Sequence, residues 1–232
     1  MFEEFVLAAS TADLSEEPAA RDHADAVEFR MDLADAPRDQ LAGYDGELPL
    51  LVTNRASWEG GEAEGLGRYD ALSTAIGHEA VAAVDVELAA LRGTHPDAAE
   101  ESHATALREA AREEGASVVA SVHDFESTPE PAALVDLLAD AASEGDVGKL
   151  ATTATAPADA LAMIEATHEA TAAGHRVATM CMGEPGRHTR AVTPVYGSKI
   201  GYAPVAPANA TAPGQYPLAT LRRLVDGLRE GE

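Results

Sequence analysis

Eight short apolar runs recur along the 232 residues, at 5–9, 26–31, 49–54, 82–88, 117–122, 147–151, 176–182 and 199–204. Their mean spacing, 232 divided by eight or about 29 residues, suits a strand, a loop and a crossover helix. The intervening stretches carry apolar stripes at i, i+3, i+4: Leu134, Leu137 and Leu138; Leu161, Ile164 and His168; Leu218, Leu221, Leu224, Val225 and Leu228. With 46% apolar residues, a sizeable core is within reach. The repeat predicts eight βα units closed into a (β/α)8 TIM barrel, one domain over residues 1–232 with no Ser/Gly-rich linker. A doubly wound open sheet is the rival, but neither Gly-x-Gly-x-x-Gly nor a P-loop is present.

In a barrel, side chains at the strand C-termini converge on one face, where active sites lie. Polar residues gather there. Run two carries Glu28 and Arg30, run three ends in Thr53-Asn54-Arg55, and run four carries Asp85 and Glu87. Run five ends in Ser121-Val122-His123-Asp124, and run six holds Lys149. Glu28 and Arg30, two residues apart, point to the same side of their strand. Inside a barrel each member of such a charged pair needs a partner.

Lys149 is one of only two lysines, against 14 arginines and 40 acidic residues. Its neighbours Val147, Leu150 and Ala151 form an apolar run of the kind that makes a buried strand. Desolvation disfavours a charged amine, and a neutral amine is a nucleophile. The alternative is a surface lysine at a strand end, and Lys199, in Gly-Ser-Lys-Ile-Gly, is the internal control. His123 follows its run directly, on the strand before that of Lys149. It suits a general base near its working pKa, or else caps the strand and bonds to Asp124. The other seven histidines mostly lie in helical or loop stretches, and His78-Glu79 and His168-Glu169 do not complete a His-Glu-x-x-His motif, so a zinc site of that type is not expected.

Ser10 ends the first run as a cap or turn residue, and Glu59-Gly60-Gly61-Glu62 reads as a flexible turn. After run seven, Arg187 and Arg190 stand where barrels often bind anions; arginine's planar fork suits a carboxylate, with solvated arginines the alternative. Residues 203–216 form a long loop with Pro204, Pro207 and Pro213 before Gly214-Gln215, which suits a lid or a passive connector.

The formal charge of −24 argues against nucleic acid and anionic membrane as partners, since both would repel it. Lysine depletion with acidic excess also fits a high-salt cytosol, where ions screen the self-repulsion. Dilution into low salt is therefore expected to unfold the protein, read by circular dichroism; a fold that persists there would mark an ordinary acidic protein. Cys181 is alone, so no intrachain disulfide is possible. The start lacks a basic segment before an apolar core, and no run approaches the roughly 18 apolar residues of a membrane span, which reads as cytoplasmic. The sequon at Asn209 reads as a chance match.

Taken together, the motifs resemble type I 3-dehydroquinate dehydratase, the Schiff-base enzyme of the shikimate pathway. The matching stretches are Val27-Glu28-Phe29-Arg30-Met31-Asp32, Thr53-Asn54-Arg55, Glu59-Gly60-Gly61, Asp85-Val86-Glu87, Ser121-Val122-His123-Asp124-Phe125 with Thr128-Pro129, Lys149-Leu150-Ala151, Gly186-Arg187-His188-Thr189-Arg190, Gly197-Ser198 and Ala212-Pro213-Gly214-Gln215. They occur in the family's order across nearly the whole chain. The resemblance implies an imine between Lys149 and the C3 ketone of 3-dehydroquinate, with His123 as general base and acid, and no cofactor or metal. It implies substrate contacts from Ser10, Glu28, Arg30, Arg55, Arg190, Thr211 and Gln215, with Arg190 on the carboxylate. A homodimer is also implied. Thr211 replaces the family's more usual serine, Phe29 its aromatic between Glu and Arg, and the start close to strand one leaves little to plug the barrel bottom. A class I aldolase-like lyase and a non-catalytic barrel that binds a small acid are the rival readings.

Overall fold

A computed structural model of the chain describes residues 1–206 and 214–229. Eight parallel strands alternate with helices in a nearly closed (β/α)8 TIM barrel. The strands are β1 (Val6–Thr11), β2 (Ala26–Arg30), β3 (Leu50–Thr53), β4 (Val81–Glu87), β5 (Ser117–Asp124), β6 (Val147–Thr153), β7 (Val177–Met182) and β8 (Ile200–Pro204). Each overlaps an apolar run, with ends shifted by one or two residues. The helices are α1 (Glu17–Ala20), α2 (Pro37–Ala42), α3 (Gly67–Ala75), α4 (Leu88–Leu91), α5 (Ala98–Glu113), α6 (Pro131–Glu144), α7 (Pro157–Ala172), α8 (Thr189–Val192) and α9 (Leu218–Arg229).

The ladder runs β7-β6-β5-β4-β3-β2-β1-β8, which leaves β7 and β8 to meet at a seam. Among the described residues that seam is drawn together at its lower end, where Lys199 N donates to Val177 O at 2.7 Å and Thr179 N to Ser198 Oγ at 3.0 Å.

Strand periodicity divides the side chains between two cores. Leu7 and Ala9 face outward onto Leu218, Leu221 and Val225 of α9, whereas Val6, Ala8, Ala26, Leu51, Ala83 and Val147 fill the interior. Further along the same strands, the next inward positions turn polar: Ser10 after Ala8, Glu28 after Ala26, Asp85 after Ala83, Ser121 after Val119, Lys149 after Val147. The chain thus builds an apolar floor and a polar upper layer from one alternation.

The floor has a plug that the sequence reading did not anticipate. Phe2, 3% exposed, packs into the interior cluster with Val6 and Ile200, and Lys199 Nζ donates to Glu3 O at 2.6 Å below it. The control lysine therefore sits at the opposite end of the barrel from Lys149. Phe2→Ala should cost about 3 kcal/mol by opening a cavity at the bottom, read by denaturant unfolding in high salt; a loss below about 1 kcal/mol would mean that Phe2 packs no core.

Helix α7 exists where the spacing predicts it, but its buried face differs. Leu161 is 66% exposed and His168 is exposed, while Ala160, Met163, Ala166, Thr167 and Ala170 are buried. Ala160, Ala166 and Ala170 let α7 lie close to β7 beside Met163, and of the expected stripe Leu161 and His168 point to solvent while Ile164 is half-buried. Pro157 opens the helix, and the Asp159 carboxylate accepts from Ala156 N at 3.0 Å, so the start is fixed locally. Among the described residues, no helix is long and apolar enough to cross a membrane.

Candidate active site

The polar upper layer opens into a cavity of about 540 Å³, counting its open mouth. Its lining includes Glu28, Arg30, Arg55, Glu59, His123, Lys149, Arg190, Tyr202 and Gln215, with Phe125, Met180 and Met182 as apolar wall. Four of the chain's 16 Lys and Arg side chains thus line one cavity in a protein of net charge −24. An anionic ligand gains most from such a concentration of cations.

Lys149 is paired with Ser121 across β5 and β6, and His123, two residues further along β5, projects to the same side. Lys149 is 5% exposed. Its Nζ lies 3.1 Å from Asp85 Oδ2 and 4.5 Å from the centre of the Tyr202 ring. The surface-lysine alternative falls away. So does an amine walled in by apolar groups alone: it meets a carboxylate, which shares its other oxygen with Arg55 Nη2 at 2.7 Å and Ser121 Oγ at 2.6 Å. Burial would raise the Asp85 carboxyl, but the Arg55 guanidinium and then Lys149 outweigh it and hold the group well below the usual carboxylate range.

His123 stacks nearly parallel on Phe125, with ring centres 6.0 Å apart. Asp124 does not hold the ring; its carboxylate caps the next turn by accepting from Glu126 N and Ser127 N. Burial first, then the charges of Arg55 and Lys149, push the imidazole well below its ordinary 6.5. The base is thus neutral at neutral pH, and weaker than the sequence reading expected. Its Nδ1 has no hydrogen-bond partner among the described residues, the nearest carboxylate oxygen being that of Glu59 at 3.7 Å.

Glu59 is the main residue the sequence reading misplaced. The stretch read as a flexible turn is a tight 3-10 turn, Ser57–Glu59, followed by two glycines packed against the site. A Cβ on Gly60 would lie 2.3 Å from the Phe125 ring, and one on Gly61 2.1 Å from Arg55 O. With no side chains there, Glu59 folds inward, and its Oε1 accepts from His123 N at 2.9 Å. Burial pushes the Glu59 carboxyl from 4.5 up to about 8. A raised carboxyl contributes stability that is fully present below its unfolded value and lost as pH rises through about 8. Glu59→Gln keeps the neutral shape and the acceptor. Melting curves should therefore show the wild type losing a few kcal/mol relative to this variant as pH rises from about 4.5 to about 8, with no further loss above. Parallel pH profiles would refute the assignment.

The other candidates separate. Glu28 and Arg30 find partners apart from each other. Ser10 Oγ donates to Glu28 Oε2 at 2.6 Å and Thr53 Oγ1 to Glu28 Oε1 at 3.2 Å, while Arg30 forks onto Asp32 at 2.9 and 2.6 Å. Ser10 acts on the cavity through Glu28 and is not among its lining residues. Arg55 is anchored from behind by Glu87 at 3.0 Å, which Arg68 also holds at 2.6 Å. Arg190, buried on α8, lines the cavity, and desolvation pulls its guanidinium down to about 10. Arg187 instead stacks on Tyr216, 4.1 Å from the ring centre. Gln215 reaches the cavity, and Thr211 lies outside the described residues. Asp85, read with Glu87 as a polar residue of run four, is brought against Lys149, whereas Tyr202 sat in a run read as strand and only its inward register marks it.

The family described as type I 3-dehydroquinase matches residues 6–231. The chain is 61% identical over 229 residues to a 3-dehydroquinate dehydratase of Haloarcula marismortui, covering 98% of each chain. It is 55% identical to the 3-dehydroquinate dehydratase of Halobacterium salinarum, covering 98% of this chain and 99% of the other. The crystal structure of 3-dehydroquinate dehydratase from Geobacillus kaustophilus superposes with a TM-score of 0.82 at 25% identity, covering 98% and 92% of the two chains.

Proposed function

Because the chain belongs to the type I 3-dehydroquinase family and is a hydro-lyase, a 3-dehydroquinate dehydratase, we propose that it converts 3-dehydroquinate to 3-dehydroshikimate and water through an imine on Lys149, with His123 moving the protons. The observation that supports this most is the pairing of β5 and β6, which sets a buried amine and a neutral imidazole on one wall of a cation-rich cavity.

Lys149, ion-paired with Asp85, must give up a proton before its nitrogen attacks the C3 carbonyl, and neutral His123 takes it. The N–C bond forms as the carbonyl π pair moves to oxygen. His123 gives its proton to that oxygen, then takes one from the nitrogen and passes it to the resulting hydroxyl, which leaves as water and gives a positively charged imine and a neutral imidazole again. The imine draws electrons from C2, so His123 removes a C2 proton to give an enamine. As the enamine collapses, the C1–O bond breaks, and His123 returns its proton to the departing hydroxyl. Hydrolysis of the imine frees the product. Asp85 stays ionised throughout and faces the cationic nitrogen, which favours the electron sink.

Arg190 takes the substrate carboxylate, and Glu28, Arg30 and Arg55 take ring hydroxyls, with Ser10 orienting Glu28. Gln215, which lines the cavity, and Thr211 add further contacts to the substrate. The same reading makes residues 1–232 one domain of a cytoplasmic homodimer; sedimentation in high salt tests the dimer, and a monomer at working concentrations would refute it.

Borohydride added with substrate, followed by peptide mass mapping, tests the mechanism. The adduct is expected on the peptide carrying Lys149; a label on Lys199, or none, would overturn it. Absorbance of the conjugated enone near neutral pH in high salt tests turnover, and its absence would favour a non-catalytic barrel that binds a small acid.

A further inference from the structure

Tyr202 lines the cavity with a buried polar atom to which nothing above gives a role. It projects inward from β8, is 4% exposed, and presents its ring face to Lys149 Nζ at 4.5 Å. Its hydroxyl is buried without a hydrogen-bond partner among the described residues. The carboxylates of Glu28 and Asp85 both lie close enough to act on it electrostatically. Neither binds it. Glu28 is taken by Ser10 and Thr53, and Asp85 by Arg55, Ser121 and Lys149. An unpartnered buried hydroxyl costs stability, and phenylalanine would offer the amine the same ring face without that cost. A tyrosine here makes sense when its partner arrives with the substrate.

We propose that the Tyr202 hydroxyl is a further catalytic group, donating a hydrogen bond to the carbonyl oxygen of the substrate as Lys149 attacks and to the same oxygen in the carbinolamine that follows. The ring that the amine rests on carries the hydroxyl, so the donor lies within reach of an oxygen attached to the carbon that Nζ joins. Negative charge grows on that oxygen as the N–C bond forms, and a fixed donor stabilises it most at that moment. No proton leaves the phenol in this step. Burial, reinforced by Glu28 and Asp85, holds it well above its ordinary 10, so it stays a donor across the working range. The proton that releases water still comes from His123.

The inference rests on the Lys149 imine, and the test separates the two. Tyr202→Phe keeps the ring and removes only the oxygen. Borohydride trapping of substrate is followed in time for wild type and variant in the same high salt, alongside their melting temperatures. The expected result is adduct formation on Lys149 slowed 10-fold to 100-fold in the variant, with a melting temperature unchanged or raised. Equal trapping rates would overturn the role of the hydroxyl while leaving the imine intact. A lowered melting temperature with a matching loss of activity would make the hydroxyl structural and equally overturn it. No adduct in the wild type would instead remove the imine itself.

Discussion

Lys149→Ala is expected to abolish the borohydride adduct and lower turnover by about four orders of magnitude or more, because the covalent electron sink disappears with the amine. The fold should survive. Asp85 loses one partner of three but keeps Arg55 at 2.7 Å and Ser121 at 2.6 Å, so no buried carboxylate is left unpaired. The loss is then chemical, and the check is a near-wild-type melting temperature beside a blank mass map. Residual activity within about a hundredfold of wild type would mean that the amine is a spectator.

His123→Ala separates two steps that Lys149→Ala removes together. The imine should still form, more slowly, with water replacing His123 in the proton transfers of that step, and the label should appear on the same peptide. Elimination should slow by about 10²-fold to 10⁴-fold, the range of a positioned proton carrier. Substrate soaked into this variant is expected to accumulate as the covalent adduct, visible by intact mass without borohydride. Equal turnover would dismiss the imidazole. The pH profile adds a check of opposite sign from the usual histidine: because burial, Arg55 and Lys149 push the ring well below 6.5, the basic form persists into more acid solution. The acid limb of kcat/KM due to His123 should therefore lie below pH 6.5, and it should vanish in the variant.

The barrel was legible because its strands are apolar runs and its helices mostly striped, and both signals come from burial alone. Lys149 and His123 were legible as polar residues at the ends of such runs. What the sequence could not reveal was direction and company. A lone tyrosine in an otherwise apolar run has no phase, so Tyr202 could not be assigned to the inside until the register with neighbouring strands was known, and Asp85, legible as a polar residue of its run, showed its partners only there. Glu59 followed from glycine chemistry read the wrong way: Gly60 and Gly61 signal freedom when isolated, but here they allow the turn to pack against Phe125 and the Arg55 backbone. Helix α7 shows the converse, since alanine carries little hydrophobic signal yet lines the face that packs. The Phe2 plug was lost because a single aromatic ahead of the first run has no pattern to belong to.

The seam between β7 and β8 carries a mechanical consequence. Elsewhere the circumference is stitched by regular ladders, but at this point, among the described residues, the Ser198 hydroxyl and one amide of Lys199 hold the two edges together. Breathing of the cylinder should therefore begin there, and the Thr179 amide should exchange with solvent deuterium sooner than amides at matching depth in β4 or β5. Met180 and Met182 flank that slit on one side and Tyr202 on the other. A transient parting of the edges would widen the chamber sideways, a second way for a released water molecule to leave.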